Sequence, residues 1–166
     1  MRKFEKVKRI EDDIKLPERS TEHSVGYDFF AIEDIDIYPV DHERIWGAGN
    51  AYSTTYIEHT HVKPTLVKTG VKALMEEDDC LILGNRSSGP NKGLILANGV
   101  GFIESDYYGN EKNDGELMFA YINIGNDMVE IKKGDKIGQG VFVKRLLTDD
   151  DKATGERTGG FGSTGR

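Results

Sequence analysis

The stretch Asn98-Gly-Val-Gly-Phe-Ile-Glu-Ser-Asp-Tyr-Tyr-Gly-Asn110 holds the densest chemistry in the sequence. Two carboxylates, Glu104 and Asp106, stand beside two tyrosines, Tyr107 and Tyr108. Alternation around Val100, Phe102 and Ile103 predicts a strand, and Gly109-Asn110 predicts its reversal into a hairpin. Glycine permits close approach of the backbone, so such a hairpin can offer N–H and C=O groups to a flat polar ligand. Taken alone, the stretch reads equally as an ordinary hairpin with solvated acids. Other parts of the chain decide between the two.

Three further groups of residues suit an anion. Gly84-Asn-Arg-Ser-Ser-Gly89 follows the apolar run Cys80-Leu-Ile-Leu83, and there Arg86, Ser87 and Ser88 make a plausible phosphate cradle at a strand exit. Near the C-terminus, Phe161 sits within a run of glycines and is followed by Gly162, Ser163 and Thr164. Glycines free successive N–H groups to point at one anion, the two hydroxyls add donors, and Arg157 adds a fork suited to phosphate oxygens. Phe161 can close over a base as a flat lid. Asp28, in Ser24-Val-Gly-Tyr-Asp-Phe-Phe-Ala31, is either an edge acid or a residue that orients a site. Gln139, in Gly134-Asp-Lys-Ile-Gly-Gln-Gly140, is unremarkable by itself.

These residues must be positioned by a chain of 166 residues, long enough for one domain with a true core. Its net charge of -7 disfavours nucleic-acid binding, which needs a basic face, but leaves room for an anionic small molecule. One cysteine, Cys80, allows no disulfide within the chain, and its apolar flanks predict a structural thiol. We expect no membrane span and no signal peptide, hence a cytoplasmic location. Short strands are predicted at 3–10, 24–31, 35–38, around Leu66 to Met75, at 80–83, 93–97, 117–124 and 137–146. Met118, Ala120, Ile122 and Ile124 should share one face. Many short strands, frequent Gly/Asn/Asp turns and no sustained helical period imply an all-β barrel or sandwich. Residues of about 41–62 read as an insertion into this domain. Its His59/His61 pair shows no third metal ligand and reads as surface. The polar, glycine-rich residues 149–166 read as a flexible arm beyond a domain of residues 1–148.

In this order the pieces resemble the five motifs of the trimeric dUTPase family. They are Val25-Gly-Tyr-Asp-Phe-Phe-Ala31, Asn85-Arg-Ser-Ser-Gly89, Asn98 to Gly109, Gly134-Asp-Lys-Ile-Gly-Gln139, and Arg157-Thr-Gly-Gly-Phe-Gly-Ser-Thr-Gly165. The resemblance implies a small distorted, jelly-roll-like β-barrel (the β-clip fold) that forms a homotrimer. Three active sites would lie at subunit junctions, and the C-terminal arm would close over a neighbour's site. It implies hydrolysis of dUTP to dUMP and pyrophosphate by water attack at the α-phosphorus, with Mg2+ on the triphosphate.

Residue roles follow from the same resemblance. Asn98 and the backbone at Gly101 would read uracil, Tyr107 would lie under the deoxyribose, and Phe161 would stack on the base. Arg86, Ser87, Ser88 and Gln139 would hold phosphates, and Arg157, Gly162, Ser163 and Thr164 would clasp the γ-phosphate. Asp28 would approach the metal through water. Glu104 would act as general base, in a position where the family ordinarily has aspartate. The tail also has one residue fewer between Arg157 and Phe161 than the common pattern.

Two rivals stand beside this reading. A dCTP deaminase would need a glutamate where Ala120 lies. A dUTP-binding sensor that has lost turnover would be consistent with Glu104 and would use residues 41–62 as a protein-partner surface.

Overall fold

A computed structural model describes residues 1–40 and 63–155. The expectations for the insertion at 41–62, for His59 and His61, and for Arg157, Phe161, Gly162, Ser163 and Thr164 lie outside the described residues. Within them the chain is all-β, as expected. The strands are β1 (Lys3–Lys6), β2 (Tyr27–Phe30), β3 (Ile35–Ile37), β4 (Thr65–Lys68), β5 (Val71–Leu74) and β6 (Asp79–Asn85). They continue with β7 (Leu94–Leu96), β8 (Gly101–Glu104), β9 (Met118–Asn123), β10 (Val129–Ile131) and β11 (Lys136–Lys144). Short 3-10 turns occur at Pro90–Lys92 and Ser105–Tyr107.

The strands form a four-stranded sheet β2-β11-β6-β8, a three-stranded sheet β4-β9-β7, and the pairs β1-β5 and β10-β3. Every ladder is antiparallel. Packed faces meet in an aromatic core in which Phe29 and Phe119 lie edge to face at 5.6 Å and Phe119 stacks near Tyr121 at 6.3 Å. Ring pairs of this kind add about 0.5–1.5 kcal/mol beyond their burial. Leu81, Val67 and Ile37 complete the centre. The Tyr121 hydroxyl donates to the carbonyl of Ile137, tying β9 to β11 with its polar end satisfied.

Some strands are shorter than their patterns suggest. β1 stops at Lys6, where a turn takes over and the Ile10 N–H donates to the Val7 carbonyl. Met118, Ala120 and Ile122 do share a face, but it is the less buried one. Phe119, Tyr121 and Asn123 point inward instead. A period of two leaves both faces of such a strand as candidates, and Asn123 hides the answer because its polarity suggests solvent. Its amide donates to the carbonyls of Ile37 and Asp127, and its oxygen accepts from Gly125 N–H, so burial leaves it satisfied.

The expected hairpin over 98–110 is also corrected. β7 pairs with β9 and β8 pairs with β6, so the strands flanking Asn98 belong to different sheets. After Glu104 the chain enters the 3-10 turn rather than a second hairpin arm, and Gly109 then takes a left-handed φ of 74°. Divergence of β7 from β8 opens the space in which the candidate site lies.

Candidate active site

A cavity of about 250 Å3 occupies that space, between the end of β7, β8 and the exposed side of β9. Asn98, Gly101, Glu104 and Tyr107 line it, so the structure brings together four residues that the sequence assigns to a base, a sugar and a general base. Its walls include Leu83, Leu96 and Phe119, which give a flat ring an apolar seat. Tyr107 is buried, and its hydroxyl accepts from the Asn113 side-chain amide at 2.7 Å, which fixes the ring orientation. Glu104 ends β8 and stands opposite Cys80 of β6 in the ladder. Cys80 is half-buried. Burial first, and the neighbouring Glu104 charge second, push its thiol pKa up, which disfavours the reactive thiolate.

Sequence reasoning missed Glu116, which also lines the cavity, together with Met118 and Ala120 of the less buried face of β9. Glu116 is buried, with the Arg9 guanidinium across both oxygens and the Gly70 N–H donating at 2.9 Å. No spacing in the sequence links residues 9, 70 and 116, so only the fold reveals this use of the carboxylate.

The candidate phosphate residues gather elsewhere. A second cavity, of about 210 Å3, is lined by Arg86 and Ser88 together with Lys92 and Lys136. Ser87 is exposed in the same loop. Among the described residues, none lines both cavities. Gln139 lies on β11 opposite Asp28, and its side-chain amide donates to the Asn85 carbonyl at 3.1 Å. Gly26 leaves room for it, since a Cβ there would stand 2.9 Å from the Gln139 amide oxygen.

Asp28 is the electrostatic hub of this half. Arg86 Nε donates to its Oδ1 at 3.1 Å, while Lys136 Nζ and Ser20 Oγ donate to its Oδ2, each at 2.7 Å. Burial of itself would raise the carboxyl pKa. The Lys136 ammonium, the Ser20 hydroxyl and the Arg86 guanidinium outweigh it and hold the pKa below the usual aspartate value. Such a group stabilises the fold fully above its unfolded pKa of about 3.9, and that contribution is lost as pH falls through the depressed native value. Asp28→Asn should therefore cost about 1–2 kcal/mol at neutral pH. In urea titrations its gap from wild type should close as the pH falls below about 3.9. A gap independent of pH would show that these contacts are not charge-assisted.

Arg86 takes one position on Asp28 Oδ1, and Lys136 and Ser20 take two on Oδ2, which leaves Oδ1 able to accept from one further donor such as a water. Among the described residues, no cluster of three or more His, Cys, Asp or Glu could hold a metal. What fits this donor set is a cation carried by phosphate oxygens and water, the usual habit of Mg2+.

The fold and the two cavities together define a small all-β protein with an apolar slot that suits a flat ring and a separate, lysine- and arginine-lined pocket that suits an anion. The dUTPase family model matches residues 50–165. The deoxyuridine 5'-triphosphate nucleotidohydrolase of Lactococcus lactis is 39% identical over 169 residues, covering 99% of this chain and 98% of that protein. The corresponding protein of Nautilia profundicola is 27% identical and covers 97% of this chain and 98% of its own. A crystal structure of dUTPase from Streptococcus mutans superposes with a TM-score of 0.71 at 35% identity, over 88% of this chain and 98% of that one. The chain belongs to the dUTPase family, and its fold is the β-clip of that family. Among the described residues, no helix is long and apolar enough to cross a membrane.

Proposed function

We propose that this chain hydrolyses dUTP to dUMP and pyrophosphate, in the cytoplasm, as a homotrimer. The observation that carries the assembled site is the separation of the nucleoside cavity from the phosphate cradle within one chain. Packing of copies would bring one chain's Arg86 and Gln139 to another's Asn98 and Tyr107, with the arm bearing Arg157, Phe161, Gly162, Ser163 and Thr164 closing the site. Surface chemistry supports such packing. Leu66 is 43% exposed and Ile124 59% on the outward side of the β4-β9-β7 sheet, and Phe102 is 62% exposed beside Ile82. An interface between copies would take these side chains out of water.

In the reaction, Glu104 accepts a proton from a water whose oxygen forms the new bond to the α-phosphorus. The bond from that phosphorus to the oxygen bridging it to the β-phosphorus breaks, and pyrophosphate leaves. Arg86, held by Asp28, and the donors Ser87, Ser88 and Gln139 meet the charge that grows on the phosphate oxygens. Donors fixed before the reaction need little reorganisation during it. Asp28 would hold a triphosphate-bound Mg2+ through water, and the ion would supply neutralisation of part of the phosphate charge. Asn98 and the Gly101 backbone read the uracil edge, and a site built to pair with one edge rejects another because buried donors would be left unmatched. A protein partner for residues 41–62 remains part of the proposal on sequence grounds alone.

Deamination of dCTP is poorly served here. Ala120 supplies only a methyl group to the cavity, and the carboxylate of Glu116 is already committed to Arg9 and Gly70. A pyrophosphate-release assay across dUTP, dTTP, dCTP and UTP tests the reading, with sedimentation to give the subunit number. We expect release from dUTP alone and a trimer. Tight dUTP binding by calorimetry without release would instead identify a sensor, for which the replacement of aspartate by Glu104 would then be the cause.

A further inference from the structure

Outside both cavities, a buried lysine grips the loop that follows the general base. Lys72 lies on β5 and is 6% exposed, an unusual place for an ammonium unless it is paired. Its Nζ donates to Asp114 Oδ2 at 2.9 Å and lies 4.6 Å from the centre of the Tyr108 ring. The Tyr108 hydroxyl in turn donates to Glu5 on β1. Burial disfavours the charged lysine, but the Asp114 carboxylate more than compensates, and its pKa is raised. One cation therefore touches the loop near both ends, at Tyr108 just after the 3-10 turn and at Asp114 just before β9.

The loop is built to be held this way. Asp114 takes a left-handed φ of 58° and Gly115 a φ of 79°. That pair folds the chain back so tightly that a Cβ at Gly115 would stand 2.5 Å from the Tyr107 carbonyl oxygen. Left-handed backbone at a non-glycine residue persists only where surrounding contacts enforce it. The contacts at Asp114 include the Lys72 ammonium and the Lys8 N–H, at 2.9 and 2.8 Å on the same oxygen, the Lys8 ammonium at 3.8 Å from the other oxygen, and its own N–H donating to the Asn110 carbonyl at 2.7 Å. Tyr107 directly precedes the gripped segment, Glu104 stands at the other end of the 3-10 turn that leads into it, and Glu116 follows it after Gly115.

We propose that Lys72 is a positioning residue for the hydrolysis. Through its ion pair with Asp114 and its contact with the Tyr108 ring, it sets where Tyr107 and Glu104 stand in the nucleoside cavity. This rests on the hydrolase reading above. Displacing a reacting group by about 1 Å can cost on the order of 100-fold in rate.

Steady-state kinetics of the full-length protein with Mg·dUTP and Mg·UTP test it. Lys72→Met should lower kcat for dUTP by about 10- to 100-fold and narrow the preference for dUTP over UTP. Lys72→Arg, which keeps the charge, should recover much of both. Tyr108→Leu leaves the ion pair intact and should shift both quantities in the same direction by a smaller factor; it decides the matter if Lys72→Met does not fold. A lower Tm with wild-type kcat and wild-type dUTP/UTP preference would overturn the proposal and leave Lys72 a purely structural residue. If the wild-type protein released no pyrophosphate, the hydrolase reading would fall. Calorimetry with dUMP would still read the Tyr107 platform, with about 10-fold weaker binding to Lys72→Met expected and equal binding refuting the positioning role.

Discussion

Glu104→Gln will lower kcat for dUTP by about 100- to 10,000-fold and leave nucleotide affinity near the wild-type value. The amide keeps the shape and length of the side chain but cannot accept the proton of the attacking water. Residues proposed to bind base, sugar and phosphates are untouched by the change, so only the transition state loses stabilisation. Single-turnover pyrophosphate release alongside calorimetry separates the two effects. Glu104→Asp is the informative companion. It restores the family's usual residue but withdraws the carboxylate by one methylene from a cavity whose walls, β8 at Glu104 and the turn at Tyr107, are those of this chain. A retreat of more than about 1 Å should cost on the order of 100-fold. Wild-type turnover in Glu104→Gln would move the base to Asp106.

Gly138→Ala will cost about 3 kcal/mol or more of stability, near the upper end for overpacking a core. A Cβ at Gly138 would stand 2.0 Å from a Phe119 ring carbon, and Phe119 is itself 1% exposed. The ring cannot retreat, because Phe29 and Tyr121 pack against it. Backbone movement is costly as well, since Gly138 sits beside the register shift between Lys136 and Gly138, with β2 on one side and β6 on the other. Moving β11 would also displace Lys136 from the second cavity and Gln139 from the Asn85 carbonyl. Urea denaturation should show a lower midpoint with an unchanged slope. Adding Phe119→Leu to Gly138→Ala should return part of the loss, since the two changes share one volume and are not additive. Equal stability of Gly138→Ala and wild type would mean that β11 packs differently from the arrangement described.

Period-two alternation and frequent turn formers were enough to read an all-β chain, because they are local properties of consecutive residues. The turn at Lys132-Lys-Gly-Asp135 shows such local chemistry at work, with Gly134 at φ 90° and the Asp135 carboxylate accepting from the Lys132 N–H. Asn98, Gly101, Glu104 and Tyr107 could be grouped in advance because they occupy one short stretch. Arg86 and Ser88 could be read as a cradle for the same reason.

What escaped the sequence is long-range. Lys136 meets Asp28 across 108 positions and Arg9 meets Glu116 across 107, and no local pattern encodes such pairs. Asn98 to Asn110 looked like a hairpin because turn signals say where a chain bends and not which strand it will pair with. The two sheets took β7 and β8 apart, and that separation made the cavity.

By itself, then, the order of residues determined the class of fold and the family, and supplied the side chains proposed to bind the nucleotide and activate water. Tertiary structure decided that the residues proposed for nucleoside and for phosphates line separate cavities of one chain, that Asp28 is engaged by two cations, and that Lys72 grips the loop beyond Glu104. The division follows from range. Backbone preference and turn chemistry act between neighbours, whereas cavities and buried ion pairs exist only once distant strands have packed and excluded water.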